Sequence, residues 1–180
     1  YSAGGGTGSK LADFRRTVER ALPSAEIVLT EGPNHATALA RKALLNGVST
    51  IIAVGGDGTI NEVVNGFFDV SNEPIDTPIL GLIPSGTGGD YRKSWGMKRD
   101  ISESLQRIVR GKLTVADLGR IDCVSMDGSP LTRYFANVAS FGMSANVCRR
   151  VNRSGKRLGG RLTFFLASAR SIVEYKNRRV

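Results

Sequence analysis

Ile51-Ile52-Ala53-Val54-Gly55-Gly56-Asp57-Gly58-Thr59-Ile60-Asn61-Glu62-Val63-Val64-Asn65-Gly66 is the stretch around which the chain is organised. Its first four residues form an apolar run of the kind that makes a strand covered on both faces, and Ile60, Val63, Val64 and Phe67 recur at helical spacing. Three glycines and one acid stand at the join. In an open α/β sheet, ligands sit where the carboxyl end of a strand meets the amino end of the next helix. This stretch is such a junction.

Its residue types point to phosphate. Gly55, Gly56 and Gly58 carry no Cβ and can take positive φ, so a phosphate chain can approach the backbone and meet the free N–H groups that open the helix. A carboxylate would repel that anion. Asp57 therefore reads as an acceptor for a metal-bound water, for a ribose or substrate hydroxyl, or for a proton in transfer. Thr59 can cap the helix or bind a phosphate oxygen, and Asn61 and Glu62 in the first turn are placed to face the same cleft. The bland alternative is a turn that uses Gly and Asp for geometry alone. A second strand, Ile79 to Ile83, ends in Pro84-Ser85-Gly86-Thr87-Gly88-Gly89-Asp90-Tyr91, so two glycine turns can face one ligand across the sheet edge.

The segment Gly55 to Gly66 resembles the signature of the diacylglycerol kinase catalytic domain superfamily, which groups bacterial lipid kinases, eukaryotic diacylglycerol kinases, ceramide kinases and sphingosine kinases. Its Gly-Gly-Asp-Gly core is shared with NAD kinases and phosphofructokinases and implies phosphoryl transfer from a nucleotide. The extension Asn61 to Gly66 is more selective. Pro84 to Tyr91 is similar to the family's Pro-x-Gly-Thr-x-Asn-Asp-Phe, with Thr87 and Asp90 kept, Gly89 in place of Asn and Tyr91 in place of Phe. Tyr1-Ser2-Ala3-Gly4 is similar to the end of the family's Asn-Pro-x-Ser-Gly, with Ala3 where Gly is usual.

The resemblance implies an α/β fold. It has an NAD kinase/phosphofructokinase-like nucleotide domain with a mostly parallel sheet, then the start of an antiparallel, β-rich second domain. It implies ATP and Mg2+ as cofactors and a lipid hydroxyl, such as that of diacylglycerol, as acceptor. The nucleotide-binding set it implies is Ser2, Gly4, Thr30, Gly55, Gly56, Asp57, Gly58, Thr59, Ile60, Asn61, Glu62, Gly86 and Thr87. Asp57 is the catalytic candidate and Asp90 a second-turn candidate. No metal ligand is assignable.

The rest of the chain follows in order. Leu11, Phe14, Val18 and Leu22 mark an amphipathic helix closed by Pro23. Ala25 to Thr30 reads as a short strand, and Asn34 as the N-cap of a helix carrying Ala36, Leu39, Ala40, Ala43 and Leu44, stopped at Asn46-Gly47. His35 reads as a capping or packing residue before a chemical one. Ile101, Leu105, Ile108 and Val109 make a helix ending at Gly111. From Leu113 the pattern changes: Leu113 to Ile121, Arg120 to Ser125 and Tyr134 to Ala139 read as strands, with Met126 to Ser129 as a hairpin turn. Helices over 144–151 and 162–175, joined by the basic loop Arg153 to Arg157, finish the chain.

These readings give a nucleotide-binding domain over 1–114, with its first strand missing from the sequence, and a truncated β-rich lipid-binding domain over 115–180. Two matches to the family support the second: Asp117 within Val115 to Gly119, and Phe135 to Gly142. The family's acidic proton acceptor and structural metal site have no counterpart, so the sequence is expected to be a fragment, inactive alone.

Composition sets bounds. The 180 residues are 41% hydrophobic and 23% charged, enough for a core. Cys123 and Cys148 show no metal-ligand spacing and argue for a reducing, cytoplasmic setting. No run approaches the roughly 20 apolar residues of a membrane span. A formal charge of +9 implies an anionic partner. Arg92, Lys93, Lys98 and Arg99 around Trp95 are either a solvated face or a peripheral contact with anionic membrane, and Arg149 to Arg161 form a second basic cluster. No nucleic acid is expected, and the oligomeric state is not legible. The alternative functions are an NAD kinase-like phosphotransferase and a basic nucleotide- or nucleic-acid-binding α/β domain without catalysis.

Overall fold

A computed structural model of the protein describes residues 8–86, 89–125 and 127–140, with positions 144, 147 and 168. The chain divides into two compact units, Tyr1–Asn137 and Val138–Val180. In the first, the elements run α1 (Gly8–Ala21), α2 (His35–Leu45), β1 (Thr50–Gly55), α3 (Asp57–Asn65), β2 (Ile79–Pro84), α4 (Asp90–Ser94), α5 (Ile101–Arg110), β3 (Gly119–Val124) and β4 (Pro130–Phe135). The fold is α/β, with a parallel pair of strands first and a separate antiparallel pair after it.

β1 and β2 pair in parallel from Thr50↔Ile79 to Gly55↔Pro84. Alternation sends Ile51, Ala53, Leu80 and Leu82 to one face, where Ala36, Ala40 and Leu44 of α2 and Ile60, Val63 and Val64 of α3 meet them. Ile52 and Ile83 point the other way, into a cluster with Val18 of α1 and Leu105 of α5. Both faces are therefore covered, as the apolar runs require. Val54, next to the junction, is 42% exposed.

Helix ends follow their residues. Gly47 and Gly111 take left-handed φ of 86° and 63° just past α2 and α5. The Asp100 carboxylate accepts from the Glu103 N–H at 2.9 Å and caps α5. At α2 the expected cap fails: Asn34 holds the N-cap position with φ 63°, but its side chain makes no capping bond.

Other expectations also change. Ala25 to Thr30 forms no ladder among the described residues; Ala25 and Ile27 pack on the second cluster while Val28 and Leu29 stay half-exposed. The alternation of a strand is there, but a strand exists only with a partner for its backbone groups. Leu113 to Leu118 is not a strand either: Val115 is 92% exposed, and pairing starts at Gly119. Tyr134 lies near the end of β4, not at the start of a strand reaching Ala139. The hairpin turn stands where expected, with the Ser125 N–H donating to the Ser129 carbonyl at 2.8 Å and Gly128 at φ 88°. The β3–β4 hairpin packs against α3 within the first unit. Of the helices expected over 144–151 and 162–175, only Ser144, Val147 and Ser168 are described, and all three are helical. The loop Arg153 to Arg157, Ser2, Gly4 and Thr87 lie outside the described residues.

Candidate functional site

The two glycine turns meet backbone to backbone. The N–H groups of Ser85 and Gly86 both donate to the Gly55 carbonyl, at 2.9 and 3.3 Å. A Cβ on Gly86 would stand 2.5 Å from the Gly56 Cα, and one on Gly55 would collide with the Thr59 side chain. Gly56 and Gly86 are fixed by the close approach of two chain segments, and Gly55 by the Thr59 side chain of its own segment. Gly58 differs: no atom would lie within 4 Å of its Cβ. At Gly58 the bare backbone of the first helical turn faces open space, and by helix geometry the N–H groups of that turn have no intrahelical partner.

Asp57 fastens the second turn. Its Oδ2 accepts from the N–H groups of Gly89 and Asp90, at 2.9 and 3.2 Å, and its Oδ1 accepts from Tyr91 N–H at 3.1 Å. It is thus a cap for α4 supplied from α3, and its charge sits favourably at the amino ends of both helices. Gly89 has φ 81°. Gly and Asn are the residue types that reach this left-handed region most readily, which gives the Gly-for-Asn exchange a physical basis.

Glu62 caps the neighbouring helix. Its Oε2 accepts from Ala36 N–H at 3.2 Å, and its carbonyl accepts from the Thr37 hydroxyl at 2.8 Å. This takes the place of the bond Asn34 does not make. Between the loop before α2 and the first turns of α3 lies a cleft of about 300 Å³, lined by Thr30, Gly32, Pro33, Ala36, Gly58, Thr59 and Glu62. Four residues expected from the sequence, Thr30, Gly58, Thr59 and Glu62, meet there. Gly32, Pro33 and Ala36 were not foreseen, although the Gly32-Pro33 turn beside Thr30 was a local signal. Gly55, Gly56 and Gly86 form the joined turns. Ile60 is buried in the core, and Asn61 is exposed with its carbonyl accepting from the Asn65 amide. His35 closes the loop, its Nδ1 accepting from the Glu31 N–H at 2.9 Å.

Asp90 is exposed and paired with Lys93. That ammonium, hydrogen-bonded at 2.6 Å, holds the Asp90 carboxyl below its ordinary pKa. Arg92 turns back onto the Met97 carbonyl at 2.8 Å, while Lys98 is exposed. Among the described residues no group of three or more His, Cys, Asp or Glu could hold a metal ion, and no helix is long and apolar enough to cross a membrane.

Comparison with known proteins shows which family the sequence belongs to. The model of the diacylglycerol kinase catalytic domain matches residues 1–121. The chain belongs to the diacylglycerol kinase catalytic domain family. It is 29% identical over 166 residues to a diacylglycerol kinase of Staphylococcus saprophyticus, covering 92% of this chain and 50% of the relative. To a diacylglycerol kinase of Staphylococcus aureus it is 30% identical over 167 residues, covering 93% and 49%. The chain spans about half the length of the curated relatives it matches. A crystal structure of a diacylglycerol kinase from Bacillus anthracis superposes with a TM-score of 0.48 at 25% identity, covering 71% of this chain and 42% of that one.

Proposed function

We propose that the whole protein is an ATP-dependent lipid kinase that transfers the γ-phosphoryl group to a lipid hydroxyl such as that of diacylglycerol. The observation that carries this reading is the cleft beside Gly58, where the open first turn of α3 meets Thr30, Thr59 and Glu62, in a chain whose relatives are diacylglycerol kinases. Phosphoryl transfer asks the protein for positioning and charge neutralisation more than for covalent chemistry. Backbone N–H groups from Gly56 to Thr59, with Gly86 and Thr87 of the second turn, are assigned to the phosphates. Thr30, Asn61 and Glu62 are assigned to the rest of the nucleotide, and Ser2 and Gly4 to its phosphate end.

Asp57 is the catalytic candidate. Its bonds to residues 89–91 hold the second turn against the first, and the remaining lone pair on Oδ1 is available to a substrate hydroxyl or a proton. Mg2+ is proposed as the companion of the nucleotide phosphates, the way this ion is commonly held. The described residues give it no ligand cluster of their own. Turnover is assigned to the whole protein, since the relatives carry about as much chain again; residues 1–180 alone are expected to bind nucleotide weakly without turnover.

The decisive assay incubates the whole protein with γ-labelled ATP and dispersed diacylglycerol, sphingoid base, ceramide and polyprenol, with NAD alongside. Label is expected in a lipid phosphate. Label in NADP, or in no acceptor, overturns the reading. Because the lipid lies in a bilayer, the protein is proposed to be cytoplasmic and to dock peripherally through basic residues, of which Lys98 is exposed. Binding to anionic vesicles should rise with anionic lipid and weaken with salt. Equal sedimentation with neutral and anionic vesicles would remove that part.

A further inference from the structure

Asn65 is 6% exposed, one of few buried polar residues in the described core, and every polar atom of its side chain is bonded to backbone. Its Nδ2 donates to the carbonyls of Asn61 at 2.7 Å and Tyr134 at 2.8 Å, and its Oδ1 accepts from Tyr134 N–H at 3.0 Å. Tyr134 faces Arg120 of β3 in the hairpin register, yet its own N–H and C=O are bonded to Asn65. An open strand edge is a row of unpaired donors and acceptors. One amide here supplies the donor and acceptor that a third strand would supply.

The neighbouring contacts converge on the same two residues. Phe68 stacks on the Tyr134 ring with centroids 3.4 Å apart and planes within 2°. The Tyr134 hydroxyl donates to the Asn72 carbonyl at 2.9 Å. Arg41 of α2 donates to the carbonyls of Phe68 at 2.7 Å and Asn65 at 3.2 Å. Only Asn offers one donor and one acceptor at this reach: Asp has no donor when ionised, and Gln is a methylene longer.

α3 thus carries a fastening at each end. Asp57 at its first residue holds the second glycine turn, and Asn65 at its last holds the hairpin. The two lie about 12 Å apart along a helix rising about 1.5 Å per residue. We infer that Asn65 is a positioning residue: through this amide clasp it sets the β3–β4 hairpin relative to the nucleotide cleft at the other end of α3. The inference rests on the lipid kinase reading for its kinetic consequence. Asn65 does not line the cleft, so losing the clasp lowers turnover and leaves nucleotide affinity.

The test uses the whole protein with Asn65→Ala and Tyr134→Phe. Misplacing a reacting element by about 1 Å can cost about a hundredfold in rate. Asn65→Ala is therefore expected to lower kcat by about tenfold or more while the Kd for ATP stays within about threefold. Tyr134→Phe keeps the backbone pair and is expected to hold kcat within about threefold. Unchanged kcat in Asn65→Ala, or kcat and affinity falling together, overturns the inference. If the parent phosphorylates no lipid, the functional reading fails, and the clasp is then judged by amide hydrogen exchange. The Tyr134 N–H should exchange slowly in the parent and fast in Asn65→Ala, with β1–β2 protection unchanged. Fast exchange at Tyr134 in the folded parent overturns the clasp, and that measurement decides alone if Asn65→Ala does not fold.

Discussion

The two strand pairs of the first unit have the same number of rungs and are held in different ways. β1–β2 has helices on both faces, and its residues divide between two apolar clusters. β3–β4 leaves Ile121 and Val124 exposed, buries Tyr134 alone, and is fastened by polar bonds: Asn65 at one edge, Asp122 with Thr132 across the rungs. A pair held by apolar area is insensitive to the loss of any one polar atom, whereas a pair held by a few polar bonds depends on each. The β1–β2 pair belongs to the first kind, and the glycine turns that follow its strands add close backbone packing and the Asp57 fastening. The hairpin belongs to the second.

The largest expected effect breaks the close-packed region. Gly86→Ala places a methyl against the Gly56 backbone, which has no side chain to move aside. It should cost about 3 kcal/mol or more, at the upper end of overpacking, read as a lowered unfolding midpoint with loss of ATP binding. A cost below about 0.5 kcal/mol would show that the turns are not in contact.

Next comes Asp57→Asn. The amide keeps one acceptor oxygen and points N–H groups at N–H donors, so stability should fall by about 2 kcal/mol. Turnover of the whole protein should fall by about a hundredfold or more, beyond the folded fraction lost. Wild-type turnover in the folded variant would leave Asp57 only its fastening role.

Gly89 sharpens the point, because backbone and space can be separated there. Gly89→Ala should cost about 1–2 kcal/mol for the left-handed backbone, and Gly89→Asn less than half as much. The atoms that either Cβ would meet belong to the Arg92 side chain, which can shift. Equal costs for the two variants would mean that crowding by Arg92, not φ, decides.

Acid gives the smallest effect and falls on the hairpin. The Thr132 hydroxyl, then Arg120, hold the Asp122 carboxyl below its ordinary pKa, and the Ser129 hydroxyl and N–H do the same for Asp127. A depressed folded pKa contributes stability above the unfolded value and loses it as pH falls through the folded one. Hairpin protection should therefore weaken below about pH 4. β1 and β2 contain no carboxylate and should hold. Residue-resolved exchange against pH checks this, and simultaneous loss in both pairs would make them one cooperative unit.

These contrasts also explain what was legible. Apolar runs and glycine-rich turns are local signals, so β1, β2, the junction and Gly58, Thr59 and Glu62 could be read from the chain, whereas Thr30 was implied only by the family resemblance. Polar fastenings are not local: Asp57 bonds residues 32 to 34 positions away, and Asn65 bonds one 69 positions away. Nothing in the composition of either neighbourhood announces such a partner. Asn34 misled because its residue type fits a cap while Glu62, from another helix, already takes the Ala36 N–H. Ala25 to Thr30 misled because alternation reports which side is buried, not whether a partner strand is present.

The most direct test of the site is residue-resolved amide hydrogen exchange on the whole protein, with and without saturating ATP and Mg2+. Nucleotide in the cleft predicts added protection over 57–62 and 30–36, with little change in the hairpin. Unchanged exchange in both cleft segments, at ATP concentrations where binding is independently seen, would contradict the assignment of the nucleotide to this cleft.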